Sequence, residues 1–82
     1  MSMYERRAHE IGAKATLRAK GYVPLPEAAD RLGYSRQGVR LWVASGCIHG
    51  VQLGRSWWVE WHSVVKHFKS IDPEAAKVAG IQ

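Results

Sequence analysis

The segment GRSWWVEW, residues 54–61, restricts the possible folds more than any other part of this 82-residue chain. It holds three of the four tryptophans, Trp57, Trp58 and Trp61, directly after a glycine and an arginine. In an extended strand successive side chains alternate, so Trp57, Val59 and Trp61 share one face while Trp58 and Glu60 share the other. One face is expected to be core. The other carries a large aromatic that needs a use of its own.

So short a chain makes one domain with a thin core. Its single cysteine, Cys47, cannot form an internal disulfide, and no apolar run approaches the ~20 residues of a membrane span. The opening MSMYERRAHE is charged with no apolar stretch behind it, unlike a secretory signal, so an intracellular location is expected.

Twelve Lys plus Arg against seven Asp plus Glu give a net charge of +5, which favours polyanionic partners. The placement says more: from Arg31 to Trp58 the chain carries Arg31, Arg36, Arg40 and Arg55 and no carboxylate.

Residues 1–20 are rich in Ala, Arg and Lys, with a weak helical stripe at Tyr4, Ala8, Ile11, Ala15 and Arg18. They read as a docked helix or a mobile basic arm. Tyr22-Val23-Pro24 is a short extended segment. LPEAADRL, residues 25–32, is a helix with Pro26 in its first turn, Glu27 at its positive end and Gly33 as its stop. Ser35 is a good N-cap for a second helix running to Ser45 and closed by Gly46. Its spacing turns Val39, Trp42 and Val43 inward and leaves Arg36, Gln37, Arg40 and Ala44 outside. Two short helices joined by GYS make a helix-turn-helix outline.

CIHGVQL and WWVEW then bracket Gly54-Arg55-Ser56 as a hairpin. If Val51 and Leu53 face the same side as Trp57 and Val59, a three-residue loop is required, with Leu53 opposite Trp57 and Gln52 opposite Trp58. A third helix is expected from about His62 to Ser70 with Val64, Val65 and Phe68 inward and Ile71 adding to that core. Asp72-Pro73-Glu74 opens a short C-terminal helix.

The stretch Tyr22 to Phe68 resembles the excisionase family of phage and plasmid winged-helix proteins, related to the MerR-like DNA-binding domain. The matching landmarks are Glu27-Ala28-Ala29, Leu32-Gly33, Ser35-Arg36, Val39-Arg40 with Trp42, Ser45-Gly46, and Leu53-Gly54-Arg55 with Trp57 and Val59. Pro24 departs from the usual Ser or Thr cap, and Trp58, Glu60 and Trp61 stand where the family more often has Arg, Pro and a polar residue. The resemblance implies an α+β fold: a small MerR-like winged helix-turn-helix with a two-stranded wing hairpin over residues 21–71. A basic helix or arm over 1–20 and a helical tail over 72–82 flank it.

The resemblance also implies that the second helix enters the DNA major groove while the wing lies on the backbone or adjoining minor groove. The residues suit this independently. Arg pairs bidentately with guanine and Gln with adenine, which makes Arg36 and Gln37 readers; Arg40 is expected on phosphate, at the place of a MerR-like arginine. Gly38 lets the helix approach closely, and Ser35 opens that helix. At the hairpin tip Arg55 can enter a narrow minor groove and Ser56 can bond phosphate. Trp57 and Val59 are expected in the core. Trp58, beside Gln52, is expected as an exposed aromatic for protein contact rather than base stacking.

Other chemistries fit poorly. Cys47, His49, His62 and His67 lack metal-ligand spacing, and no nucleophile, buried carboxylate pair or phosphate-cradling loop is evident, so neither a metal, a cofactor nor an enzyme is expected. Within the resemblance the function is that of a recombination directionality factor in the bacterial cytoplasm. It binds repeated duplex sites, self-associates on them, bends the DNA and engages an integrase. A small operator-binding regulator and a Trp-rich protein-interaction module are the alternatives.

Overall fold

A computed structural model describes residues 12–81. Among them five helices and a three-stranded antiparallel sheet make an α+β fold. In chain order these are α1 (12–19), β1 (Tyr22–Pro24), α2 (Leu25–Leu32), α3 (Arg36–Ala44), β2 (Gly50–Leu53), β3 (Ser56–Glu60), α4 (Trp61–Ile71) and α5 (Pro73–Val78). No helix among the described residues is long and apolar enough to cross a membrane.

The helix ends follow local chemistry. α2 starts at Leu25 with Pro26 in its first turn, and its last carbonyls are taken by Gly33 and Tyr34, whose amides bond to Asp30 and Ala29 at 3.2 and 3.0 Å. The Ser35 hydroxyl oxygen caps α3 by accepting from Gly38 N–H at 3.0 Å, and the Asp72 carboxylate caps α5 by accepting from Ala75 N–H at 3.0 Å. The core gathers the inward faces of α2, α3 and α4: Ala28, Ala29, Leu32, Val39, Trp42, Val64 and Phe68, with Val59 from the sheet. Tyr34 closes one side, stacked on Trp42 at 4.8 Å between ring centroids. Ile71, expected in this core, is instead half exposed at the end of α4.

The sheet order is β1-β3-β2, so the extended Tyr22–Pro24 segment becomes a third strand that the hairpin expectation lacked. It pairs Val23 with Val59 and Pro24 with Trp58, and a Trp61 N–H to Gly21 O bond of 2.9 Å extends the pairing.

The expected hairpin register does not hold. Leu53 lies opposite Ser56, Gln52 opposite Trp57, Val51 opposite Trp58 and Gly50 opposite Val59, leaving a two-residue turn of Gly54 and Arg55. Gly54 has φ 62° while Arg55 has a negative φ, the pattern of a type II′ turn, whose twist suits the flanking strands. Room decides which face Val51 takes. A Cβ on Gly50 would meet Val43 Cγ1 of α3 at 2.9 Å, so glycine fills that core-side position and Val51 turns the other way.

Val51, Leu53 and Trp58 therefore share the outer face of the sheet, and α1 packs there. Ala13, Thr16 and Leu17 line an apolar groove with Val51 and Leu53, and Arg18 lies over the Trp58 ring at 5.7 Å. Trp58 is 4% exposed, so the exposed aromatic expected for protein contact is a buried one, sealed between strand and helix. Its Nε1 has no hydrogen-bond partner among the described residues. The expected stripe on the first helix is also displaced: Ala15 and Arg18 are exposed while Ala13 and Leu17 are half-buried, and Tyr4, Ala8 and Ile11 fall outside the described residues.

Arg18 ties α1 to α2. It donates to both Glu27 carboxylate oxygens at 2.9 and 3.4 Å, and Arg31 donates to the same carboxylate at 2.8 Å. The Arg18 hydrogen bond, with the charges of Arg18 and Arg31, holds the Glu27 carboxyl below its ordinary range; the same partner raises Arg18.

Candidate nucleic-acid interface

α3 presents one polar face because its apolar residues follow a helical spacing. Val39 and Trp42 are buried and Val43 is half-buried, which leaves Arg36, Gln37, Arg40, Leu41 and Ala44 on the exposed arc. The two-residue turn holds Arg55 and Ser56 at the end of the sheet. These two elements meet: Arg36, Gln37, Arg40, Arg55 and Ser56 line one open groove of about 440 Å³, floored by Trp57 and walled by Pro24, Leu25 and Pro26. Three arginines from two elements, 15 or more positions apart across the turn, thus face one space.

The charge of the groove is uncompensated among the described residues. Among the described residues the ion pairs join Glu27 to Arg18 and Arg31, leaving Arg36, Arg40 and Arg55 without a carboxylate. The N-terminus of α2 opens on the same groove, and its N-cap position is Pro24, which offers no side-chain acceptor to the first-turn amides. Positive potential from arginines and helix end is therefore concentrated on one side.

Trp57 has a part in this that its sequence pattern did not reveal. It is half-buried against the core, as alternation predicted, and its ring also carries the Arg40 guanidinium at 4.2 Å. That platform directs Arg40 into the groove and limits its rotamers. Each tryptophan of residues 57–61 takes an arginine: Arg40 on Trp57, Arg18 on Trp58 and Arg31 on Trp61, the last at 4.9 Å.

No family model and no solved structure matches the chain. A stretch of 37 residues, 45% of the chain, is 49% identical to part of a probable plasmid-partitioning protein ParA of Thermus thermophilus. The chain spans 12% of that protein's length.

Other expected site residues are distributed differently. Ser35 is exposed but its oxygen is engaged in capping α3. Gly38 is not among the residues that line the groove, and a Cβ there would run into Tyr34 Cε1, so its missing side chain makes room for the Tyr34 ring. Gln52 is exposed but lies opposite Trp57 rather than Trp58. Cys47, His49 and His67 line a separate cavity of about 350 Å³ with Lys66, and no group of three or more His, Cys, Asp or Glu among the described residues is placed to hold a metal ion.

Proposed function

We propose that this chain binds duplex DNA as a winged helix of MerR-like type, with α3 in the major groove and the β2–β3 hairpin against the backbone or adjoining minor groove. The observation that carries the reading is the shared groove of Arg36, Gln37, Arg40, Arg55 and Ser56. A guanidinium or amide at the leading end of a helix can read base edges, and a short cationic turn beside it can grip phosphates. The role proposed for this interface is architectural or regulatory.

Within that class the resemblance of Tyr22 to Phe68 favours an excisionase-type directionality factor whose partner is an integrase. A single winged helix buries on the order of 600–1,000 Å² of protein surface on DNA, which favours several copies on adjacent sites. The short match to a plasmid-partitioning protein favours a second setting for the same interface, the maintenance of a plasmid. The protein-interaction alternative loses its main support, because Trp58 is buried.

Salt titration of duplex binding tests the reading. Affinity is expected to fall log-linearly, by about 0.9 log unit per phosphate contact for each decade of salt. Binding indifferent to salt, or none, would sink it. Footprints on attachment sites beside an integrase gene, against footprints on promoters or plasmid partition sites, separate the settings.

A further inference from the structure

The exposed arc of α3 contains one residue that neither the fold nor its charge accounts for. Leu41 is 59% exposed, whereas Val39 and Trp42 on the same helix are 0% and 8% exposed. Lone surface leucines are ordinary; the position of this one is not. At about 100° per residue, Arg36, Arg40, Ala44, Gln37 and Leu41 follow one another around a continuous arc of about 140°. Leu41 lies one turn beyond Gln37, at the edge of that arc, beside residues suited to charge and hydrogen bonding.

We infer that Leu41 is a specificity residue that reads the 5-methyl group of a thymine. This rests on the proposed insertion of α3 into the major groove, where the thymine methyl is the apolar feature that distinguishes one base from the others. Four residues of helix advance about 6 Å, against about 3.4 Å per base step, so the thymine lies one or two base pairs from the base facing Gln37. Ala44, farther along the helix and with only a methyl group, does not reach as far. The target thereby acquires a definite composition: a base offering acceptors to Arg36 or an amide match to Gln37, followed within two steps by a thymine.

The test begins with duplexes retained by the chain from a randomised pool. Each thymine of a retained sequence is then replaced singly by deoxyuridine, which removes only the methyl, and affinity is measured by anisotropy at fixed salt. One replacement should weaken binding roughly four-fold, the effect of one methyl taken from water, and should have no effect on Leu41→Ala. Unaltered melting of Leu41→Ala, expected because the side chain is exposed and alanine favours helix, shows that the fold is retained. Retained duplexes whose deoxyuridine forms all bind unchanged, or a sensitive thymine that stays equally sensitive in Leu41→Ala, overturn the assignment alone. A pool from which no duplex is retained removes the DNA reading and the assignment together.

Discussion

The Arg40 guanidinium lies over the Trp57 indole at 4.2 Å, one member on α3 and the other on β3. The contact fastens the helix that offers Arg36 and Gln37 to the strand that begins at Ser56, next to Arg55 in the turn. Arg40→Ala should weaken binding to every duplex, lowering the salt slope by about 0.9. Trp57→Leu should do part of the same by releasing Arg40. Salt titrations of both single variants and the double variant check this: the double variant should lose less than the sum of the two.

Base readers and backbone contacts should separate. Arg36→Ala or Gln37→Ala should relax sequence preference, by about 1–3 kcal/mol between matched and mismatched sites. Arg55→Ala should weaken matched and mismatched sites alike. Competition mobility shifts measure both; equal loss across all sequences for Arg36 and Gln37 would remove them as readers.

Trp58→Ala should destabilise the domain by about 3–5 kcal/mol, because it empties the layer between α1 and the sheet. Trp58→Phe should retain most of the stability: it keeps an aromatic body and removes an indole N–H that has no partner among the described residues. Thermal or urea melts decide it, and a Trp58→Ala variant as stable as the parent would contradict the burial.

Gly38→Ala should lower stability despite the roughly 1 kcal/mol that alanine adds to a helix interior, because its methyl meets the Tyr34 ring. In a Tyr34→Ala background the same change should cost less, with the Ser35 Oγ at 2.9 Å as the remaining close contact. The coupling between the two changes in a double-mutant cycle is the readout.

The attachment of α1 should depend on acidity. Glu27 is held below the usual carboxylate range by Arg18, so its contribution is complete above the ordinary glutamate pKa of about 4.3 and is lost as pH falls through the lower folded value. Amide exchange over residues 12–19 should rise in that acidic window. Glu27→Gln should show faster exchange already at neutral pH and lack the Glu27 part of the acid response.

Much of this was legible residue by residue. Pro26, Gly33, Ser35 and Gly46 set the bounds of α2 and α3 through local backbone chemistry, and the alternation in WWVEW placed Trp57 and Val59 toward the core. The carboxylate-free run from Arg31 to Trp58 contains the three arginines of the groove, although Arg31 itself pairs with Glu27. What escaped depended on contacts between distant segments. The closeness of Val43 to Gly50 is a tertiary fact, and it suits the register in which Val51 turns outward. The cover over Trp58 comes from a helix about 40 residues earlier, whose packed face is not its most regular apolar stripe. At Gly38 the absent side chain makes room for the partly exposed Tyr34 ring, a contact that the residue pattern of its own helix does not announce.

The two-residue turn at Gly54-Arg55 also limits how this hairpin can vary among descendants. Side chains alternate with a period of two, so one added residue would exchange Val51 and Gln52 between layers and force Val43 against a side chain. Insertions here should be tolerated in pairs, or singly where a bulge absorbs the extra residue. The length of the loop is thereby quantised, and in the absence of a bulge longer versions of it should differ from this one by even steps.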